Sequence, residues 1–439
     1  MDYKRPIAVD LFAGAGGMTL GFEQAGFDVL ASVEIDPIHC AIHEYNFPFW
    51  TIICRDIQEI TGLEIRQLSK IGDRSIDVIF GGPPCQGFSL IGKRLLEDER
   101  NVLVYHFVRL ILELKPKYFV LENVPGMAIG KHQKLLQNIS NEFSKNNYQT
   151  ESNYQILNAA SYGVPQNRER LFLLGCQKEL TLPNYPQAIS NNFTHKSAIK
   201  KKSSLPKCPT VWDAIKDLPE VNNHPELEKR DWTIVNYGTQ SNYVKKLRLL
   251  VDLDNDFSYK RSYDENLLTS SLRTKHTLES KERFDKTLPG KIEPISRFLR
   301  LHRDGLCNTL RAGTPSSRGA YTSPRPIHPI TPRCITVREA ARLHSYPDWF
   351  RFHVTKWHGF RQVGNSVPPL LAKAIATEII KCLDVKLIKP IAQYPLSKEE
   401  ILSFNMSRAA QYYGVNYSLI NKRIRQNTNK KSLKESNKN

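Results

Sequence analysis

The chain has 439 residues, 40% of them hydrophobic, and 62 Lys+Arg against 44 Asp+Glu give it a formal net charge of +18. That length supports two or three domains with real cores, and the composition argues against a disordered or membrane-bound chain. No run reaches the ~18 apolar residues of a membrane span, and Met1–Pro6 leads into no apolar signal segment. The eight cysteines (Cys40, Cys54, Cys85, Cys176, Cys208, Cys307, Cys334 and Cys382) are scattered without a CxxC pair. This argues against a disulfide framework or zinc cluster and for a reducing cytoplasm.

In chain order, Pro6–Phe12 reads as a first buried strand, Ala13–Gly17 as a tight turn, and Met18–Ala25 as a helix closed by Gly26. A glycine-rich turn between strand and helix lets a nucleotide-like ligand approach the backbone. A GxGxxG pattern begun at Gly14 would need glycine where the chain has Thr19, which disfavours a nicotinamide or flavin site. A second strand, Val29–Val33, ends in Glu34-Ile35-Asp36, where a carboxylate is placed for ribose hydroxyls; alone, it reads first as a solvated strand-end acid. Thr51–Cys54 ends in Arg55-Asp56-Ile57. Ile76–Phe80 runs into Gly81-Gly82-Pro83-Pro84-Cys85-Gln86-Gly87-Phe88-Ser89, whose prolines forbid helix and central strand. By itself Cys85 reads either as a displayed nucleophile or as a buried cysteine in a Gly/Pro turn.

A helix over Val102–Leu114 and a fifth strand, Tyr118–Leu121, lead to Glu122-Asn123-Val124-Pro125. This alternation predicts a doubly wound α/β sheet whose ligands bind beyond the carboxyl ends of the strands, where Glu34, Asp56, Cys85 and Glu122 all fall. Gln166-Asn167-Arg168-Glu169-Arg170 then precedes the apolar run Leu171–Leu174. The two arginines would clamp a phosphate or carboxylate, or form a surface Arg–Glu–Arg cluster.

From Thr181 to about Ser323 the alternation is lost, and aromatics interleave with basic residues such as Tyr243, Lys245, Lys246 and Arg248. Regularity returns at Thr336–Leu343, at the turn His344–Pro347 and at Gln362–Pro369, followed by a helix over Leu370–Leu383. Charge is −3 over 1–182, +13 over 183–384 and +8 over 385–439. A slightly acidic body joined to basic later parts points to a polyanion, nucleic acid first. In the tail, apolar residues including Ala409, Ala410, Tyr413 and Leu419 flank Gly414, which suggests a DNA-binding helix-turn-helix over 406–426, or else a plain basic tail or helical appendage, with disorder beyond Gln426. Loss of the tail is expected to weaken DNA binding and to spare cofactor binding.

With these pieces in order, the chain resembles the cytosine-5 DNA methyltransferases, most like the bacterial restriction–modification type. The matching residues are Asp10–Gly17, Glu34–Asp36, Arg55–Ile57, Gly82–Ser89, Glu122–Val124, Gln166–Arg170, Thr336–Pro347 and Gly364–Pro369, in the family's order over about 1–383. The resemblance implies an α/β fold: the Rossmann-like mixed sheet of S-adenosylmethionine-dependent methyltransferases, with a smaller, irregular target-recognition domain. The catalytic domain would span 1–182, completed by 356–384, with recognition over 183–355 and a basic extension over 385–439.

The resemblance further implies Cys85 as the thiolate that adds to carbon 6 of cytosine, and Glu122 as the group at ring nitrogen 3. Arg168, with Arg170 more peripheral, would position the base. S-adenosylmethionine would lie on Phe12, Ala13, Gly14 and Gly16, with Phe12 against the adenine. Glu34 would take the ribose beside Ile35, Asp56 and Ile57 the adenine, Pro84 the region beside the reacting centre, and Asn365 would close the pocket. The helix after Asn365 would pack beside the first strand. On double-stranded DNA, Gln86, Ser89, Lys93 and Arg94 would hold the duplex around a flipped-out cytosine.

A monomer in the cytoplasm at the nucleoid is expected, with a cognate restriction endonuclease as functional partner, no membrane and no metal. A tRNA-methylating relative and a non-catalytic DNA-binding protein on the same scaffold are the alternatives. Against the first, the recognition region lacks a Cys-Phe-Thr tripeptide; against the second, Cys85, Glu122 and Arg168 are intact.

Overall fold

The apolar runs early in the chain become parallel strands of one sheet in the computed structural model, which describes residues 5–84, 102–129, 133–151, 154–191, 204–313 and 325–416. The strands are β1 (Ile7–Leu11), β2 (Asp28–Glu34), β3 (Thr51–Cys54), β4 (Val78–Gly81), β5 (Tyr118–Asn123), β6 (Tyr148–Thr150), β7 (Gln155–Asn158) and β8 (Glu169–Gln177). Their order is β3-β2-β1-β4-β5-β8-β6, with β7 also on β8. β1 to β5 are parallel, while β8 runs antiparallel to β5, β6 and β7. The order reverses between β1 and β4, and such a switch point opens a crevice at the carboxyl ends of the strands.

Helices α1 (Gly17–Ala25), α2 (Pro37–Asn46), α3 (Gly62–Leu68), α4 (Val102–Leu114) and α5 (Gln133–Lys145) connect the strands. Gly26 ends α1 in a left-handed conformation, φ 114°, as its position predicts. β5 continues two residues past the expected Leu121, so Glu122 is held inside the ladder opposite Phe172 rather than on a loose connection.

Beyond β8 come α6 (Val211–Ile215), β9 (Thr233–Ile234), α7 (Asn242–Leu247), β10 (Lys260–Ser262), β11 (Leu267–Leu268), α8 (Leu278–Lys286), α9 (Val337–Leu343), α10 (Lys356–Asn365) and α11 (Pro369–Leu383). The change of texture near residue 183 is not a gap in the core, because Val211, Val244, Leu310, Val337 and Phe352 join the main apolar cluster. Among the described residues of 183–355, two small satellites pack separately, one around Leu227 and Leu268 and one around Phe284 and Ile327. The arginines of α9 support rather than reach out: Arg338 and Arg342 are wholly buried, and Arg342 bonds both Asp217 and Asp348.

The helix after Asn365, α11, packs on α1, the helix that directly follows β1. Gly21 makes this approach feasible, since a Cβ there would sit 2.5 Å from the Ala372 Cβ. The tail joins the body through its described length. It adds β12 (Gln393–Pro395), which pairs with β10, and α12 (Met406–Tyr412), which packs on α2. Gly414 turns the chain after α12 at φ 63°. The second half of the expected helix-turn-helix, from residue 417, lies outside the described residues.

Candidate active site

The turn after β1 folds back on itself, with Phe12 at φ 66° and Gly14 at φ 54°. Ala13 is buried and donates to the Val33 carbonyl at 3.1 Å, and Gly16 donates to the Ala13 carbonyl at 3.0 Å. Gly14 N–H donates to Glu34 Oε2 at 2.8 Å, while Asp36 N–H donates to Oε1 at 2.9 Å. The carboxylate at the end of β2 is therefore oriented from both sides by backbone. Next to it Ile35 is 42% exposed, Phe12 is half-buried, and a Cβ added to Gly14 would meet nothing within 4 Å. Half-buried Asp56 lies at the end of β3 beside buried Ile57 and accepts from Gln58 N–H at 2.9 Å. Apolar faces, open space over a glycine and two strand-end carboxylates suit a nucleoside with free ribose hydroxyls.

Thr19, the residue that breaks the dinucleotide pattern, has an internal task. Its hydroxyl donates to Asp10 Oδ2 at 2.6 Å and lies 3.1 Å from His43 Nε2. Burial pushes the Asp10 carboxyl up and His43 down to about 3, so the network sits under the turn with its charge suppressed.

On the other side of the switch point, β4 delivers Gly82 against Glu122. A Cβ at Gly82 would lie 2.4 Å from Glu122 Oε2, so glycine lets the carboxylate lie against the backbone there, and a larger residue would push the Glu122 side chain aside. Asn123 Nδ2 donates to the Pro83 carbonyl at 3.1 Å and fixes the proline loop to β5. Neither Gly82 nor Asn123 was assigned a role from sequence, although both stand inside the quoted motifs. Glu122 bonds Arg170 Nε at 2.9 Å with both side chains 12% exposed. Burial raises the Glu122 carboxyl, with Arg170 and Arg168 only partly opposing it.

Arg168 and Arg170 take different partners at different depths. Arg168 is fully buried and donates at 2.8 Å to the carbonyls of Leu310, Gly364 and Ser366, while Arg170 is the one bonded to Glu122. Residue alternation along an extended segment puts both on one face without saying which lies deeper. Arg168 thereby staples the Gly364–Ser366 turn to the site and leaves Asn365 exposed at the end of α10. Pro84 is also exposed. Cys85, Gln86, Ser89, Lys93 and Arg94 lie outside the described residues.

A family model described as C-5 cytosine-specific DNA methylase matches residues 7–381. The chain is 53% identical over 421 residues to the type II methyltransferase M.XorII of Xanthomonas oryzae pv. oryzae, covering 96% of this chain and 95% of the relative. It is 33% identical to M1.HphI of Haemophilus parahaemolyticus, covering 85% and 86%. Among solved structures it superimposes on an E. coli prophage-encoded protein described as a DNA modification methyltransferase, with TM-score 0.68 and 34% identity over 86% of this chain and 99% of that one. The fold is also that of the S. pombe Dnmt2 methyltransferase, with TM-score 0.53 at 14% identity over 87% of this chain and 100% of that one. With its motifs on the strand ends of this sheet and a family match over most of its length, the chain belongs to the C-5 cytosine-specific DNA methylases and is a DNA cytosine-5 methyltransferase.

Proposed function

We propose that the chain methylates carbon 5 of a cytosine flipped out of a specific double-stranded DNA site, with S-adenosylmethionine as donor and Cys85 as covalent nucleophile. The observation that supports this most is the raised carboxyl of Glu122, braced by one arginine and pressed against Gly82, two residues before Pro84-Cys85. Carbon 5 of cytosine is a weak nucleophile. Attack of the Cys85 thiolate on carbon 6 makes carbon 5 electron-rich, provided ring nitrogen 3 takes a proton or a hydrogen bond as charge develops. A carboxyl whose proton affinity burial raises suits that position, and Arg170 holds its other oxygen so that it presents in one orientation. S-adenosylmethionine, when bound, supplies the electrophilic methyl group. Loss of the carbon 5 proton and departure of Cys85 then restore the aromatic ring.

Phe12, Ala13, Gly14, Gly16, Glu34, Ile35, Asp56 and Ile57 fit the adenosyl part of that donor, with Glu34 at the ribose; Pro84 and Asn365 border it. Gln86, Ser89, Lys93 and Arg94 are assigned to DNA, and target recognition to 183–355, where the two satellite cores carry irregular loops. The type II names of M.XorII and M1.HphI support a role in protecting DNA from a cognate restriction endonuclease. The test is covalent trapping: DNA carrying 5-fluorocytosine should form an adduct at Cys85, and Cys85→Ser should abolish both adduct and methylation while binding DNA. An active enzyme that forms no adduct, or a serine variant that still methylates, rejects the mechanism. Bisulfite sequencing of DNA from an expressing, methylation-deficient host gives the site.

A further inference from the structure

Through residue 413 the C-terminal extension lies against the cofactor end of the sheet. Leu402, Phe404 and Ala409 share one apolar cluster with Ile38 and Ala41 of α2 and with Ala15 of the glycine-rich turn. Phe404 is 2% exposed. Polar contacts fasten the same docking: the Tyr412 and Tyr413 hydroxyls donate to the two oxygens of Glu44 at 2.8 and 2.7 Å, and Val354 N–H donates to the Leu402 carbonyl at 3.1 Å. The Phe404 carbonyl also accepts from His353 Nε2 at 3.0 Å, while His353 Nδ1 accepts from Thr355 N–H. The charges in 397–413 are Lys398, Glu399, Glu400 and Arg408, which sum to zero. This docked segment is therefore not the basic part of the tail.

What it clamps is α2, the helix that begins directly after Glu34. Asp36 caps α2 by accepting from Ile38 N–H at 2.9 Å, and its own N–H donates to Glu34 Oε1. The other Glu34 oxygen is held by Gly14, one residue before Ala15. Any drift of α2 relative to the turn would thus pull the two donors on Glu34 apart. We infer that segment 397–413 is a wall of the cofactor site, positioning α2 and the glycine-rich turn so that Glu34 is held ready for the ribose. The inference rests on the reading of Glu34 as the ribose acid, and it reverses the expectation that loss of the tail would spare cofactor binding.

The test uses full-length protein and two lesions, Phe404→Ala and the double variant Tyr412→Phe/Tyr413→Phe, with Phe404→Leu as the conservative control. The expected result is a KM for S-adenosylmethionine raised roughly tenfold, the low end of coupling between packed sites. At saturating cofactor, kcat and the KM for DNA should hold, and Phe404→Leu should restore most of the affinity. The double variant keeps the apolar cluster intact, so it answers the question even if Phe404→Ala fails to fold. A cofactor KM that stays put in folded variants, or a rise confined to the KM for DNA and its salt dependence, overturns the inference. A Glu34→Ala control separates the two levels. If it weakens cofactor binding while the extension variants do not, the wall fails alone; if it too leaves binding unchanged, the ribose reading falls and takes the inference with it.

Discussion

Two buried glutamate–arginine pairs in this molecule titrate in opposite directions. Glu122 meets Arg170 Nε at 2.9 Å, and burial leaves its carboxyl raised. Glu339, in α9, meets both terminal nitrogens of Arg333 at 2.9 and 2.8 Å and accepts from Thr336 N–H at 2.6 Å. Burial works to raise Glu339 as well, but Arg333 outweighs it and holds the carboxyl at about 2. The burial is alike and the donors are not. A bidentate arginine together with a helix cap commits Glu339 to its charge, whereas the single guanidinium bond at Glu122 orients the carboxyl and leaves it able to hold a proton. One pair is built to stay as it is and the other to change.

Breaking each pair should separate these roles. Glu122→Gln keeps shape and Arg170 contact but removes the proton, so kcat should fall by about 10²–10⁴-fold, the usual range for a lost general acid, with the melting temperature nearly unchanged. Steady-state kinetics beside a thermal melt checks this, and a small kcat loss would remove Glu122 from the chemistry. Glu339→Gln should do the reverse. It leaves buried Arg333 without its main counter-charge and should cost about 3–5 kcal/mol in a denaturant titration, while the KM values of whatever remains folded stay put.

The pH dependence sharpens the contrast because the two signs differ. Glu339 is held at about 2 against an ordinary 4.5. A lowered carboxylate stabilises the fold fully above the unfolded value, and that stability is lost as pH falls through the folded one. Acid titration from about pH 4.5 down to about 2 should therefore remove on the order of 3 kcal/mol, a loss absent in Glu339→Gln. Glu122 is raised, so its contribution is present in acid and lost as pH rises above the ordinary glutamate range. Its glutamine variant should gain stability relative to the parent with rising pH.

How much of this could be read from the residues differs by level. The sheet was legible because each parallel strand is a short apolar run followed closely by a turn, and Glu34, Asp56 and Glu122 do fall at one edge. The relation of Arg168 to Arg170 was not, because depth depends on the Leu310 and Gly364 carbonyls, which are 142 and 196 residues away from Arg168. The docking of the tail was out of reach for a related reason. The apolar spacing at Ala409 and Ala410 correctly announced a buried face, but amphipathicity says that a helix packs, not on what. α2, more than 350 residues earlier in the chain, is the partner. Glu122's proton affinity was equally out of reach, since it comes from burial against Gly82 and from a single arginine bond.

The smallest expected effect tests the donor argument itself. Thr336 caps α9 by accepting from Glu339 N–H through its hydroxyl at 3.2 Å, while its own backbone N–H donates to Glu339 Oε2. Thr336→Ala removes the hydroxyl but keeps the backbone donor and Arg333, so Glu339 retains the partners that hold its charge. The loss should be about 1 kcal/mol, as for an ordinary cap, and the acid transition of Glu339 should keep its position. If the transition instead moved up toward 4.5, the low value would belong to the capping box rather than to the bidentate arginine, and the distinction between the two pairs would have to be redrawn around helix ends. An unmoved transition with a cap-sized loss leaves arginine geometry as the variable that separates a structural carboxylate from a working one.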